Sequence, residues 1–114
     1  MDDLEHYGEW GRKGATLSDK SARKEFGLTQ KEIIDAINAG KLQYRVGSIY
    51  GNPWFRLLRR EVMTLVRKKH GGAHLRKKLV ETELAQINKK LRAMKGEMKT
   101  LEAKKSELEA VLKG

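Results

Sequence analysis

The apolar positions between Ser18 and Gly27 have the spacing of a short helix. Ala22 and Phe26 are four residues apart and therefore share one helix face. Ser18, just before them, is a typical N-cap residue because its hydroxyl can accept a hydrogen bond from a first-turn N–H. Gly27 interrupts the pattern, so we expect the first helix to end there.

A second helix is predicted directly after that glycine. Thr29 and Glu32 have the spacing of a capping box, in which each side chain bonds the backbone N–H of the other residue. Gly40 is the expected end of the helix, because glycine is favoured where the chain turns left-handed. The apolar face consists of Ile33, Ile34 and Ile37.

The pattern then changes to the alternation of a strand. Residues 42–46 alternate apolar and polar side chains, Gly51-Asn52 suits a two-residue hairpin turn, and residues 54–57 would form the returning strand. Residues 59–69 predict a third helix that ends at Gly71-Gly72. Its buried side is expected to contain Val62, Leu65 and Val66.

The tail of the chain has a different period. From Ala73 onward no glycine or proline occurs until Gly96, and apolar residues recur in steps of four and three, interrupted only at Lys105. This heptad pattern predicts a coiled-coil helix whose stripe needs a partner, and a second copy of the chain is the simplest one. The predicted dimerisation seam comprises Val80, Leu84, Ile87, Leu91, Met94, Met98, Leu101 and Leu108.

Together these elements predict a mainly α protein: a small winged helix-turn-helix head of three helices and a β-hairpin, followed by a long C-terminal coiled-coil helix. We divide the chain into an N-terminal arm (1–16), the head (17–70), a glycine hinge (71–72) and the dimerisation helix (73–113). The expected core of the head contains Leu17, Ala22, Phe26, Leu28, Ile33, Ile37, Leu42, Tyr44, Val46, Phe55, Leu57, Val62, Leu65 and Trp54.

Charge adds a functional expectation. The 114 residues include 25 Lys+Arg and 15 Asp+Glu, a net charge of +10. Such a balance favours a polyanionic partner. No run of about 18 apolar residues suggests a membrane span, and the acidic N-terminus does not resemble a signal peptide. We therefore expect a cytoplasmic protein, nucleoid-associated if it is prokaryotic.

The stretch SDKSARKEFGLTQKEIIDAINAGKLQYRVG resembles the start of excisionase-like domains, and WFRLLRREVMTLVRKK resembles their wing strand and following helix. The same fold heads the MerR-like transcription factors and is similar to the C-terminal DNA-binding region of the xeroderma pigmentosum group A repair proteins. The resemblance covers about residues 17–70 and implies DNA binding. The sequence departs from the excisionase pattern in its longer, aromatic wing from Ile49 to Phe55. The DNA contacts of the excisionase wing are therefore the part of the resemblance that applies least to this chain.

The predicted DNA-reading residues lie near the start of the second helix. Gln30 and Lys31 carry donors suited to base edges, and Thr29, Ile34 and Asp35 flank them. The alternative is that these are ordinary solvated helix residues. The guanidinium groups predicted to contact phosphates, or else to form a solvated basic face, belong to Arg45, Arg56, Arg59 and Arg60.

Flanking charges favour an antiparallel arrangement of the coiled coil. A register that sets Leu91 opposite Met94 gives two attractive pairs, Glu83 with Lys104 and Lys90 with Glu97, and one repulsive pair, Glu81 with Glu102. A parallel register gives two like-charged pairs among four. The MerR-like resemblance implies the same antiparallel helix pair.

Little in the sequence suggests catalysis. There is no cysteine and no phosphate-binding glycine loop, and we expect no catalytic residue, cofactor, metal site or small-molecule effector. His70 and His74 have no carboxylate close in sequence to complete a metal site. We therefore expect a non-enzymatic homodimer that binds double-stranded DNA. The alternative is a coiled-coil adaptor that uses its head for protein–protein contact.

Overall fold

The computed structural model describes residues 8–114. The chain is mainly helical, with a small three-stranded antiparallel sheet in the order β1–β3–β2 and a long C-terminal helix. In chain order the elements are β1 (Thr16–Ser18), α1 (Asp19–Phe26), α2 (Gln30–Asn38), β2 (Tyr44–Ile49), β3 (Asn52–Leu58), α3 (Arg59–His70) and α4 (Gly72–Lys113).

Both predicted caps are confirmed. The Ser18 hydroxyl accepts a hydrogen bond from the Ser21 N–H at 3.0 Å, and α1 ends at Gly27, whose φ of 72° is left-handed. Thr29 Oγ1 accepts from the Glu32 N–H at 3.1 Å while Glu32 Oε1 accepts from the Thr29 N–H at 3.0 Å. The reciprocal bonds fix where α2 begins and satisfy two donors that the helix itself leaves unpaired.

The hairpin differs from its prediction in register. The strands are longer than expected, and the two turn residues are Tyr50 and Gly51 instead of Gly51 and Asn52. Both have positive φ, 52° and 81°, which a two-residue turn of this hand requires. The sequence hides this because tyrosine rarely adopts that conformation.

Gly47 is required by a close approach inside the hairpin. It lies opposite Trp54 in the β2–β3 register. A Cβ atom at position 47 would lie only 2.5 Å from Trp54 ring carbons. The indole therefore lies across the space that any other residue would fill.

The third strand, β1, is absent from the sequence prediction. Leu17 and Ser18 were expected to lead into the first helix, but they pair with Leu57 and Arg56 of β3. A three-residue strand leaves no alternating pattern to detect. Leu17, the middle residue of β1, is buried in the core of the head.

The core lies between the sheet and the helices of the head. Two expected members, Tyr44 and Val46, are instead 49% and 64% exposed, and both lie on β2, an edge strand of the sheet. Trp10 is buried although it belongs to the predicted arm. The buried cluster consists of Leu17, Ala22, Phe26, Leu28, Ile33, Ala36, Leu42, Leu57, Val62, Leu65, Val66 and Leu75.

α3 ends at Gly71, with φ of 91°, and α4 begins at the next residue. The chain divides into two compact units, one ending at Leu79 and one comprising Val80–Gly114. The glycine pair and the first turns of α4, including the buried Leu75, thus belong to the head unit. Between residues 8 and 114, no helix is both long and apolar enough to cross a bilayer.

Candidate nucleic-acid interface

The start of α2 is anchored by Glu32. Besides its bonds to Thr29, the carboxylate lies 3.0 Å from His70 Nε2 and 3.9 Å from Lys69 Nζ. The backbone N–H of Thr29 is the main reason that the pKa of Glu32 lies below its ordinary value, with burial opposing the shift and His70 adding to it. Glu32 therefore fixes the start of α2 through Thr29 and joins it to the end of α3 through His70 and Lys69.

Gln30 is not exposed as the sequence suggested. Its side chain is half-buried, and its Nε2 donates a 3.0 Å hydrogen bond to Asp19 Oδ2. Its Oε1 is buried and accepts no hydrogen bond from any residue in 8–114. Because one of the two amide N–H groups of Gln30 is bonded to Asp19, this side chain helps to orient α2.

Lys31 and Asp35 form the outer edge of α2. The Lys31 side chain is 85% exposed and its Nζ lies 3.0 Å from Asp35 Oδ2. Such an exposed i, i+4 pair is worth only a few tenths of a kcal/mol, so an anionic ligand can replace it at small cost. Ile34 is half-buried beside them.

The predicted phosphate-binding arginines mostly bind the chain's own N-terminal segment. Arg56 donates to the Trp10 carbonyl and, at 3.2 Å, to Thr16 Oγ1. The Arg45 guanidinium lies 4.4 Å from the centre of the Trp10 ring. These contacts attach the segment around Trp10 to the sheet, so Arg56 is half-buried and not presented to solvent as expected.

Arg59 and Arg60 show the same departure from expectation. Arg59 donates to the Gly14 carbonyl at 3.0 Å and pairs with Glu25 at 2.8 Å, and its side chain is only 30% exposed. Arg60 makes two parallel bonds to Glu9, at 2.9 and 3.0 Å, but remains 62% exposed. Of this pair, only Arg60 is open to an external anion.

The aromatic residues of the hairpin divide between solvent and fold. Tyr50 is fully exposed at the turn. Trp54 is half-buried over Gly47, and its indole N–H has no acceptor within residues 8–114. Tyr44 contacts Phe55 edge-on, with ring centres 5.5 Å apart.

His70 and His74 lie together, with ring centres 5.0 Å apart. The carboxylate near this pair is that of Glu32, which is distant in sequence and lies 3.0 Å from His70 Nε2. His74 Nε2 instead lies 3.4 Å from the Phe26 carbonyl oxygen. Across residues 8–114, no group of three or more metal-ligating side chains is assembled.

The apolar seam of the tail is exposed along the second unit. Its eight predicted residues, from Val80 to Leu108, are each between 47% and 68% exposed. They remain one continuous stripe because α4 runs unbroken through Gly96. A stripe of this length on a single helix is typical of a surface that another helix covers.

Sequence reasoning missed Asp19, the buried carboxylate at the centre of this site. Its Oδ1 accepts the Phe55 N–H at 3.2 Å and its Oδ2 accepts from Gln30, so it joins α1, α2 and β3. The only sequence signal was an acidic residue in a first helical turn, which is ordinary. Comparisons with protein-family models, curated proteins and solved structures gave no match.

Proposed function

We propose that the protein is a non-enzymatic, homodimeric DNA-binding protein whose head is a winged helix-turn-helix. α1, Gly27 and α2 would form the helix-turn-helix, and the β2–β3 hairpin would be the wing. In this arrangement α2 enters a major groove and the wing approaches the neighbouring backbone.

The observation that carries the proposal is the exposed outer edge of α2. Lys31 extends into solvent at the first turn of a helix whose start is fixed by a capping box. A rigid helix end with an exposed donor is what base-edge recognition requires. The net charge of +10 supports a polyanionic partner.

Dimerisation would use the exposed stripe of the tail. Covering it removes eight large apolar side chains from water, which is the main driving force for helix association in solution. Joining two heads also makes the second head's binding intramolecular and raises the overall affinity.

Fluorescence anisotropy with a pool of random labelled duplexes tests the proposal. We expect binding at about 50 mM salt that weakens about 10³-fold or more by 200 mM, because phosphate contacts release counterions. Lys31→Ala should weaken binding to a selected duplex five- to a hundredfold, the range for a base contact. Lys89→Ala, on the outer side of the tail helix, is the matched control and should leave affinity unchanged.

A second candidate, a coiled-coil adaptor with a protein-binding head, is favoured by the hairpin. Tyr44 and Val46 expose apolar surface on one face of β2, and Tyr50 at the hairpin turn is fully exposed. Aromatic side chains are enriched at protein interfaces. No duplex binding at 50 mM salt, together with a monomeric chain by light scattering, would favour this second candidate.

A further inference from the structure

The outward face of α3 lies between two open grooves. Arg60 and Thr64 contribute to both grooves and separate them as a ridge along the helix. On one side the charged lining includes Lys41, Lys68 and Lys69. On the other side it includes Arg12, Arg59 and Arg67. Cations from three separate parts of the chain thus converge on one helix face.

The carboxylates on this face already have hydrogen-bond partners. Glu61 accepts from the Gln43 backbone N–H at 2.8 Å and from its side-chain amide at 3.1 Å. Glu9 accepts the two bonds of Arg60. The negative charges of Glu61 and Glu9 reduce the positive potential of this face. Their carboxylate oxygens already accept hydrogen bonds from Gln43 and Arg60, which hold the side chains that line the grooves.

Several of the cations are not paired in this way. Lys41, Lys68, Arg12 and Arg67 are exposed and make no ion pair within residues 8–114. The sequence has no acidic residue between Glu61 and Glu81, so α3 itself supplies no neutralising charge beyond its first turn. A face of this kind has a strong attraction for an extended anion.

We propose that this face of α3 binds the sugar–phosphate backbone of a DNA duplex, as a second contact surface separate from the outer edge of α2. The inference rests on the proposed function and adds the residues that supply its phosphate contacts. Lysine and arginine side chains spaced along a rigid helix suit the regular repeat of backbone phosphates. An acidic protein fits less well, because Leu65, the apolar residue in the lysine-lined groove, is buried and no exposed anchor is present there.

Arg60 has a special position in this surface. Its paired N–H groups hold the Glu9 carboxylate in the bidentate geometry that also suits a phosphate. Glu9 therefore occupies the place that a backbone phosphate would take in a bidentate contact with Arg60, so a phosphate competes with Glu9 for these two N–H groups. Removing the Glu9 charge is expected to strengthen binding.

The test compares two double variants of the full chain with equal charge change. Lys41→Gln/Lys68→Gln removes cations from the lysine-lined groove, whereas Lys89→Gln/Lys99→Gln removes exposed cations from the tail. We expect the first variant to lower affinity for a labelled duplex about tenfold or more at 50 mM salt, and to reduce the slope of log K against log[salt] by about 0.9 for each lost phosphate contact. The tail variant should change the affinity less than twofold.

Duplex binding by the wild-type chain with no difference between the two double variants would overturn the α3 surface and leave the proposed function standing. Displacement of the duplex by polyglutamate as effectively as by unlabelled duplex would overturn its assignment to phosphates. A wild-type chain that binds no duplex at all would reject both proposals.

A second comparison tests Arg60. Glu9→Gln should raise the duplex affinity several-fold, and Glu107→Gln in the tail, with the same charge change, should not. Equal affinities of these two variants would remove Arg60 from the surface. Because Lys41 and Lys68 are exposed, unchanged thermal unfolding is expected for the lysine variants and shows that the effect is on binding.

Discussion

Asp19 and Gln30 are joined by a 3.0 Å hydrogen bond that fixes the angle between the two helices of the predicted helix-turn-helix. The other oxygen of Asp19 accepts the Phe55 N–H beyond the end of β1, so the same carboxylate also aligns the hairpin. One buried side chain thus sets the positions of both predicted DNA-contacting elements.

Replacing Asp19 by alanine should destabilise the head by about 1–3 kcal/mol, because it leaves the Phe55 N–H and the Gln30 amide without their acceptor. Urea unfolding followed by circular dichroism measures the change. Asp35→Ala, at an exposed carboxylate on the same helix pair, should stay within about 0.5 kcal/mol of wild type. Equal effects of the two variants would contradict a linking role for Asp19.

The Glu32 carboxylate should contribute to acid sensitivity. Because its pKa is lowered in the folded chain, its contribution to stability is complete above its ordinary value of 4.5 and is lost as the pH falls through the lower folded value. Glu32→Gln should therefore flatten the loss of stability below pH 4.5, as measured by urea midpoints at successive pH values. An unchanged acid limb in the variant would show that Glu32 is not responsible.

Gly47→Ala should disturb the hairpin. The new Cβ atom would lie 2.5 Å from the Trp54 ring, so the indole must move, at a cost of about 1–3 kcal/mol for such overpacking. Gly11→Ala is the control, since nothing lies within 4 Å of a Cβ there. A melting temperature lowered in the first variant alone is the expected result.

Arg56→Lys should loosen the attachment of the N-terminal segment. The variant loses the guanidinium bonds to the Trp10 carbonyl and to Thr16, and hydrogen bonds to charged groups are worth about 1.5–3 kcal/mol. Trypsin should then cleave after Arg12 or Lys13 about tenfold faster, which mass spectrometry of a time course detects. In the control variant Arg23→Lys, on the exposed side of α1, trypsin should cleave after Arg12 or Lys13 at the wild-type rate.

The orientation of the tail helices can be tested with cysteines, because the natural chain has none. An equimolar mixture of Leu84→Cys and Leu101→Cys chains should form disulfide-linked dimers in the antiparallel register, while each variant alone should not. Non-reducing electrophoresis reads the result. Efficient linkage of Leu84→Cys chains to one another would instead establish a parallel pair.

Features set by residues close in sequence were predicted correctly, whereas contacts between residues far apart in sequence were not predicted. The caps at Ser18 and Thr29 each involve residues three apart, and both are confirmed. The acceptors of Arg56, Arg59 and Arg60 were not predicted, because they lie 34 to 51 residues earlier in the chain, where no periodicity connects them. A basic run can indicate charge, but only the fold determines which of its members are already bonded.

The predicted position of the hairpin turn was wrong for a related reason. Gly51-Asn52 has favourable turn chemistry, but the β2–β3 register, with Gly47 opposite Trp54, requires the turn one residue earlier. The contact between Gly47 and Trp54 joins two strands and could not be inferred from either one alone. The DNA-contacting residues and the dimer stay predictions for the experiments above.

The burial of Leu75 determines where the head can be cut from the tail. This leucine lies after the glycine pair, yet it is 4% exposed and packs with the core of the preceding helices. A fragment that stops at Gly71 would leave a leucine-sized gap in the core, which typically costs several kcal/mol. Anyone preparing the isolated head for binding or NMR work should retain the chain through Leu79.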